Sequence, residues 1–360
     1  MIQWRAYLTS SESCVLVVGL GATTPIGRTV WASAAAVRAG VSGFAQHAFM
    51  VDALGAPMRV APFPWLDEGR DVVDRIGDGL VAAIREALAP LGMSTKRLPI
   101  ALFVNLPSRR PALPSDLANR IGKRLHVDLA GVFERLSVEM LGHAGGFTAL
   151  QSAQQIIAAA PQTLCLVAGA DSYLDPDMLE WLESTDQMHG AGERNNAWGF
   201  VPGEGSGALM LSAPNTAKRL GLELFGRVTG VGLGQETELI GTGSVCLGLG
   251  LTEAVRGAFA GLSAGEQVTD VYCDMNGEPY RADEFAFLVT RVRERFVTAS
   301  EFVAPADCWG DVGAASAPLL VALACVAGAK RYSKGKSTLV WGSSVNGERG
   351  AAMIETAGLR

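Results

Sequence analysis

The sequence predicts an α/β fold in which a mostly parallel sheet is covered by helices on both faces. Short apolar runs alternate with helical stretches, glycine is abundant (43 of 360 residues), and a Val-Gly-Leu-Gly motif occurs twice. Hydrophobic residues make up 49% of the chain and charged residues 18%. A disordered chain is therefore excluded, because disordered chains lack the apolar surface that offsets the entropy lost on folding.

The first half of the chain alternates between predicted strands and helices. Val15–Val18 is a predicted strand, and Thr24 with Pro25 predicts a helix that reaches about Arg38, since these residues favour the N-cap and first helical positions. The remaining elements predicted in this half are strands at 100–104, 164–168 and 207–211 and a helix at 144–159. We expect residues 66–130 to form a cap over one end of the sheet and residues 184–200 to form a loop.

The second half repeats this pattern. Val18-Gly19-Leu20-Gly21 recurs as Val231-Gly232-Leu233-Gly234, and a similar series of strands and helices follows each copy. The elements predicted after the second copy are a helix from Thr252, a strand at 268–273, helices from Ala282 and about Gly313, and a hairpin around Gly347. We therefore predict a duplication, with one half at 1–215 and the other at 216–360.

Several classes of function are disfavoured by composition and motifs. The net charge of −6, without a Lys/Arg run longer than a pair, argues against a nucleic-acid partner. Six scattered cysteines indicate reduced thiols and a cytoplasmic location, and we predict neither a signal peptide nor a membrane span. Gly19 and Gly21 lack the third glycine of a dinucleotide site, and the four histidines lack metal-ligand spacing. We therefore expect no cofactor and no metal.

Two motifs resemble those of a known family. The block GFVPGEGSGALML at 199–211 and the run GATTPIG at 21–27 are similar to segments of β-ketoacyl-acyl-carrier-protein synthases of the thiolase superfamily. The resemblance implies a duplicated thiolase fold with five layers, α/β/α/β/α, and two mostly parallel five-stranded sheets. Glu204, within the first block, is expected to lie in a turn, bind backbone N–H groups and serve the architecture.

The catalytic positions of that family carry other residues in this chain. The resemblance places His143 at the position of the nucleophilic cysteine, Asn276 and Asp311 at those of the two histidines, and Ala306 at that of the lysine. Condensation needs a thiolate that holds the acyl chain and two imidazoles that stabilise the enolate oxygen. The resemblance therefore implies a site at His143, Asn276 and Asp311 that does not run the usual reaction.

Other positions near this site also differ from the family. Glu278 and Tyr280 stand where the family has two threonines beside the pantetheine arm, and the loop at 345–350 lacks the gatekeeping phenylalanine. Cys273 and Cys308 are candidate replacement nucleophiles, although buried core thiols are the more common case. Three tryptophans are expected to be packing anchors: Trp198, Trp309 and Trp341.

Two functional hypotheses remain open at this point. In the first, the chain is a catalytically degenerate scaffold or accessory protein, similar to a chain-length factor or to a thiolase-like protein associated with secretion. In the second, it is an acyl-thioester hydrolase or acyltransferase in which His143 is the base and Asp311 orients it. The alternative for Asp311 is structural: it caps the helix near Val312 and ties the two halves together through His143.

The resemblance also implies partners. The family pairs its subunits through the strand that corresponds to Phe133–Val138, which predicts a homodimer or a heterodimer with a synthase-like subunit. An acyl carrier protein or a secretion-related protein is a further possible partner.

Overall fold

The computed structural model describes residues 15–67, 69–92, 98–190, 196–240 and 242–356. Within these residues the strands are β1 Val15–Thr23, β2 Ala45–Val51, β3 Pro57–Val60, β4 Ile100–Asn105, β5 Arg135–Glu139, β6 Leu164–Ser172, β7 Glu204–Ser212, β8 Gly226–Gln235, β9 Asp270–Cys273, β10 Ser337–Ser343 and β11 Glu348–Thr356. The helices are α1 Val30–Arg38, α2 Val72–Leu88, α3 Leu117–Asp128, α4 Gly145–Ala159, α5 Pro176–Ser184, α6 Pro214–Leu220, α7 Leu249–Ala258, α8 Pro279–Val292, α9 Ala306–Trp309 and α10 Ser316–Ala329. None of these helices is long and apolar enough to cross a membrane.

The main sheet is continuous and mixed, so the predicted mostly parallel arrangement is wrong, and the division into two five-stranded sheets is not confirmed. Nine strands follow the order β5-β4-β6-β7-β1-β8-β11-β10-β9, and β2 and β3 form a separate hairpin. Five of the eight neighbouring pairs in the large sheet are antiparallel. One reason is the short turn between β10 and β11, because a tight turn can join only antiparallel neighbours. The predicted five layers stay a prediction.

The two halves of the sheet meet where β1 pairs with β8. Three residues pair there, from Val15 opposite Val228 to Val17 opposite Gly226. The C-terminal half contributes four strands. At its outer edge Val303 forms a single parallel bridge with Tyr272 of β9. The Cys273 N–H donates to Val303 O at 3.0 Å and the Val303 N–H to Val271 O at 2.8 Å.

The repeated Val-Gly-Leu-Gly motif lets a helix lie very close to a strand in each half. A Cβ at Gly21 would stand 1.9 Å from the carbonyl oxygen of Ala83 in α2, and one at Gly232 would stand 1.9 Å from that of Ala254 in α7. Both distances are far shorter than a van der Waals contact, so a side chain at either position would force the helix away from the sheet. The repeat is therefore a packing motif that recurs in the two halves.

Two helices occupy the centre of the molecule and contact strands from both halves. These are α4, which contacts β4, β6, β8 and β11, and α10, which contacts β1, β7, β10 and β11. Nearly every residue of α10 is buried, as expected of a helix that is apolar on all sides. On the outer faces, α2 covers β1, β6 and β7, and α7 covers β8 and β11.

Several local predictions need correction. The first helix begins at Val30 and is capped by Thr29, because residues from Thr24 to Gly27 form a tight turn closed by two backbone hydrogen bonds. Residues 66–130 do not cap the sheet: they contain α2, β4 and α3, and α2 lies on a sheet face. Trp198 is 70% exposed and is not a packing anchor, whereas Trp309 and Trp341 are buried as predicted. Residues 1–14, with Cys14, and residues 191–195 of the predicted loop lie outside the described ranges.

Glu204 has the predicted structural role, although it begins β7 instead of lying in a turn. Its carboxylate is fully buried and accepts hydrogen bonds from Phe63 N at 2.5 Å, from Arg75 Nε at 2.8 Å and Nη2 at 2.6 Å, and from Ser172 Oγ at 3.0 Å. Arg75 is itself only 2% exposed. This ion pair fixes α2 to the start of β7.

We expect Glu204→Gln to lower the free energy of unfolding by about 3–5 kcal/mol, because it leaves the Arg75 guanidinium buried without a countercharge. Urea unfolding followed by circular dichroism measures this change. The matched control is Glu301→Gln, which breaks the exposed pair with Lys334 and should cost less than about 1 kcal/mol. Equal losses in both variants would contradict the structural role of the Arg75–Glu204 pair.

Candidate functional site

The structure brings His143, Asn276 and Asp311 together, as the resemblance implies. His143 lies in the single 3-10 turn at 142–144 that leads into α4, and Asp311 lies just before the equivalent turn that leads into α10. His143 Nε2 is 2.8 Å from Asp311 Oδ1 and 3.0 Å from Oδ2, and Asn276 Nδ2 donates to Asp311 Oδ2 at 2.6 Å. His143 and Asp311 are both buried, 4% exposed each.

Backbone geometry at the start of α4 positions His143. Gly142 has φ +66°, and a Cβ there would lie 2.7 Å from Ser108 Oγ, so glycine is required on both grounds. Asn105, at the end of β4, donates from Nδ2 to Gly142 O at 2.6 Å and to Ala314 O at 3.0 Å. This one buried amide therefore ties together the turns that precede the two central helices.

The GFVPGEG block holds Asp311 through its backbone. The Asp311 N–H donates to Val201 O at 2.8 Å, and the Gly203 N–H donates to Asp311 O at 3.0 Å. The Asp311 side chain also accepts a hydrogen bond from Gly313 N at 2.7 Å. Asp311 thus caps the 3-10 turn at 313–315 and not α10 itself, which begins at Ser316 without a side-chain cap, and it makes this bond together with the contact to His143.

Arg281 is a central member of this site that the sequence analysis did not identify. It is 1% exposed, and its Nη1 donates to Asp274 Oδ2 and to Ser343 O, both at 2.7 Å. Its Nε is 3.3 Å from Glu278 Oε2, and its Nη2 is 3.4 Å from His143 Nε2. The only sequence signal was the spacing of Glu278 and Arg281, three positions apart at the start of a helix.

The two carboxyl groups that share the Asn276 amide have pKa values shifted in opposite directions. Burial raises the pKa of Glu278 above its usual value, despite Arg281 and Asn276. Burial acts in the same direction on Asp311, but His143, Arg281 and Asn276 together outweigh it and hold the pKa of Asp311 well below its usual value. Asp311 is therefore ionised, and because an ionised carboxylate only accepts, His143 Nε2 carries the donated proton.

The candidate replacement nucleophiles do not suit that role. Burial raises the pKa of the Cys273 thiol, and it also raises that of the Cys308 thiol. Both side chains are buried, so the structure supports the core interpretation of these cysteines. Only a void of about 10 Å³ lies between Cys273 and Asp311, room for a single water.

A cavity of about 320 Å³ opens beside His143. Its lining combines polar and charged residues, among them His143, Asp311 and Arg110, with aromatic residues, among them Trp181 and Phe200. Arg110 pairs with the buried Asp171 and lies over the ring of Tyr173 at 3.9 Å. A wider cleft of about 670 Å³ shares three lining residues with this cavity, Gln187, Ile240 and Glu278.

One further cluster, which no spacing in the sequence indicates, has donors close enough together to hold a metal ion: Glu236, Cys246 and Glu284. Its donors already have other partners: Arg349 and Ser343 bind Glu284, and the N–H of Gly250 donates to Glu236 at 3.1 Å. Burial, followed by the nearby carboxylates, raises the pKa of Cys246 to about 12. Metal binding would have to displace a buried guanidinium, so we assign no metal to this group.

Comparisons with known proteins bear on the fold. No protein-family model and no curated protein matches the sequence. Among solved structures, the complex of a type II polyketide synthase acyl carrier protein with its ketosynthase (AntDE:AntF) superposes with a TM-score of 0.76 at 15% identity, over 95% of this chain and 99% of that one. The ishigamide ketosynthase/chain length factor gives 0.74 at 18% identity, over 95% and 99%. A β-ketoacyl synthase from Burkholderia phymatum STM815 gives 0.73 at 15% identity, over 96% and 100%.

These superpositions span nearly the whole of each chain, so they concern the complete fold and not a shared fragment. At such low identity they establish architecture and leave the chemistry to be argued from the site. The chain has the thiolase-like fold of ketosynthases and chain length factors.

Proposed function

We propose that this protein is a non-condensing ketosynthase-like protein that acts as a scaffold or accessory subunit beside a synthase-like partner. The observation that carries this proposal is His143 at the start of α4, with Nε2 bound to Asp311 at 2.8 Å. Condensation requires a thiolate at that position to hold the acyl chain as a thioester. An imidazole whose one nitrogen is bound to a buried carboxylate does not supply that function.

The rest of the cavity supports the same proposal. None of the described residues that line it is a cysteine. Glu278, at a position where the family has a threonine beside the pantetheine arm, lies in the cavity wall and is hydrogen-bonded to Asn276 at 2.9 Å. A carboxyl group there would lose hydration or its Asn276 contact when a pantetheine arm entered, which disfavours the binding of carrier thioesters.

The edge strand β5 supports a partner of the same fold. In the described residues β5 pairs with β4 on one side, and its other edge is open. Open edges favour pairing with another strand. We therefore infer a homodimer or a heterodimer through β5, with an acyl carrier protein or a secretion-related protein as further candidate partners. The free thiols of the described cysteines support a cytoplasmic setting.

A second candidate function is hydrolysis of an acyl thioester. The His143–Asp311 contact favours it, because a carboxylate bound to Nε2 leaves Nδ1 as the ring nitrogen that can take a proton from water. The adjacent cavity would then hold the acyl group.

Incubation with acyl-CoA and acyl-carrier thioesters separates these two functions. We expect no mass increase of the protein and no thioester loss above the uncatalysed rate, because no cysteine among the described residues lines the cavity. Mass spectrometry and a free-thiol assay measure these quantities. Turnover that falls by about 100-fold or more in His143→Ala, with Arg59→Ala on the exposed hairpin as control, would favour the hydrolase.

The pairing proposal predicts that Val138→Pro weakens self-association or association with the partner subunit by at least about tenfold. Glu139 O accepts a hydrogen bond from the Leu106 N–H, just after β4, at 2.8 Å, so Glu139 faces β4 and alternation along the strand directs the Val138 N–H to the open edge. A proline there removes an outward donor and leaves the β4–β5 ladder in place.

Light scattering across a concentration series measures this association. Val138→Ala, which keeps the N–H, should behave like the unmodified protein. A purely monomeric unmodified protein that also fails to bind any synthase-like subunit from its own cell would overturn the pairing proposal.

A further inference from the structure

We propose that the cavity beside His143 binds a small organic anion non-covalently, with the carboxylate or phosphate group of the ligand held by Ser108, Arg109 and Arg110. This inference goes beyond the scaffold function, because a scaffold needs no ligand.

Ser108 is the first observation. It lines the cavity and is only 6% exposed, and its hydroxyl has no hydrogen-bond partner. A buried hydroxyl without a partner costs free energy, and native proteins rarely keep one without a reason. The Oγ lies beside the Gly142 backbone, just ahead of the turn that leads into α4, where the positive end of the helix dipole favours an anion.

Arg109 is the second observation. It lines the cavity, is exposed, and has no ion pair or hydrogen bond within the described part of the chain. The neighbouring Arg110 has its Nη atoms on Asp171 and Ser172 O, but its buried Nε has no partner. Three consecutive residues thus present donors that lack acceptors.

The charges around the cavity favour an anion over a cation or a neutral ligand. Arg110 is paired with Asp171, and Arg281 is paired with Asp274. Of the guanidinium groups that line the cavity, only Arg109 lacks a carboxylate partner among the described residues. An anionic group beside Arg109 and Ser108 supplies the missing charge and the missing acceptor together.

The apolar part of the lining sets the class of ligand. It is largely aromatic and includes Tyr173, Trp181, Leu182 and Phe200. The volume of about 320 Å³ lies at the lower end of the range for small-molecule sites. The ligand is therefore a compact amphiphile with one anionic group and an aryl or short acyl body. A thioester-linked acyl chain has no charge to place at Arg109.

Isothermal titration calorimetry with three probes tests this inference. The probes are 3-phenylpropionate, phenyl phosphate and the neutral 3-phenylpropanamide. We expect at least one anion to bind at least about tenfold more tightly than the amide. The tighter of the two anions then identifies the ligand class as carboxylate or phosphate.

Variants locate the binding site. Arg109→Gln should weaken anion binding about tenfold and leave amide binding unchanged, and Ser108→Ala should weaken anion binding several-fold. Arg59→Gln, an exposed arginine on β3 outside the cavity, is the matched control and should have no effect. Equal urea midpoints for all variants exclude a folding defect.

Three results would overturn the inference: equal affinity for amide and anions, no binding of either anion up to about 10 mM, or anion binding that neither Ser108→Ala nor Arg109→Gln alters. The outcome is independent of the function proposed above, since subunit pairing through β5 does not require an occupied cavity. Loss of pairing with intact anion binding, or the reverse, identifies which proposal has failed.

Discussion

The buried carboxylate of Asp311 is the interaction on which the arrangement of the centre depends. Its backbone is hydrogen-bonded to the 201–203 segment of the first half, and its side chain caps the turn before α10. The same side chain binds His143 at the start of α4 and Asn276 after β9. Because one carboxylate contacts segments from both halves, the two central helices have a fixed relation to each other.

Such a network serves specificity of structure more than stability. Burying Asp274, Glu278 and Asp311 with Arg281 carries a desolvation cost that the mutual attraction of these groups offsets only when each has its partners. Nearly all these partners are present, since Asn276 binds Glu278 and Asp311, and Arg281 binds Asp274 and Glu278. An apolar centre would fold as well, but it would not keep a cavity with hydrogen-bonding walls open beside His143.

The sequence could predict those features that depend on local pattern. The repeated glycines mark the helix–strand contacts at Gly21 and Gly232, and Asp311 binds the N–H of Gly313 in the 3-10 turn ahead of α10. The directions of the strands were not predictable, because the apolar run of a buried strand such as β7 or β11 has the same pattern whether its neighbour runs parallel or antiparallel to it. The pairing of Arg110 with Asp171 links residues 61 positions apart, and no spacing rule connects them. Arg281 was missed for a similar reason: a charged residue in an amphipathic helix ordinarily faces solvent.

The chemistry of the centre follows from the side chains that the backbone presents there. Glycines ahead of α4 and α10 adopt positive φ, and this geometry presents His143 at the start of α4. The residue presented is an imidazole bound to an ionised carboxylate, and the nearby thiols are buried with raised pKa values. A cavity that bound nothing would be free to fill with apolar side chains, which costs less than burying charge. This cavity instead has polar lining residues and three donors without acceptors at 108–110, an arrangement that a bound anion explains.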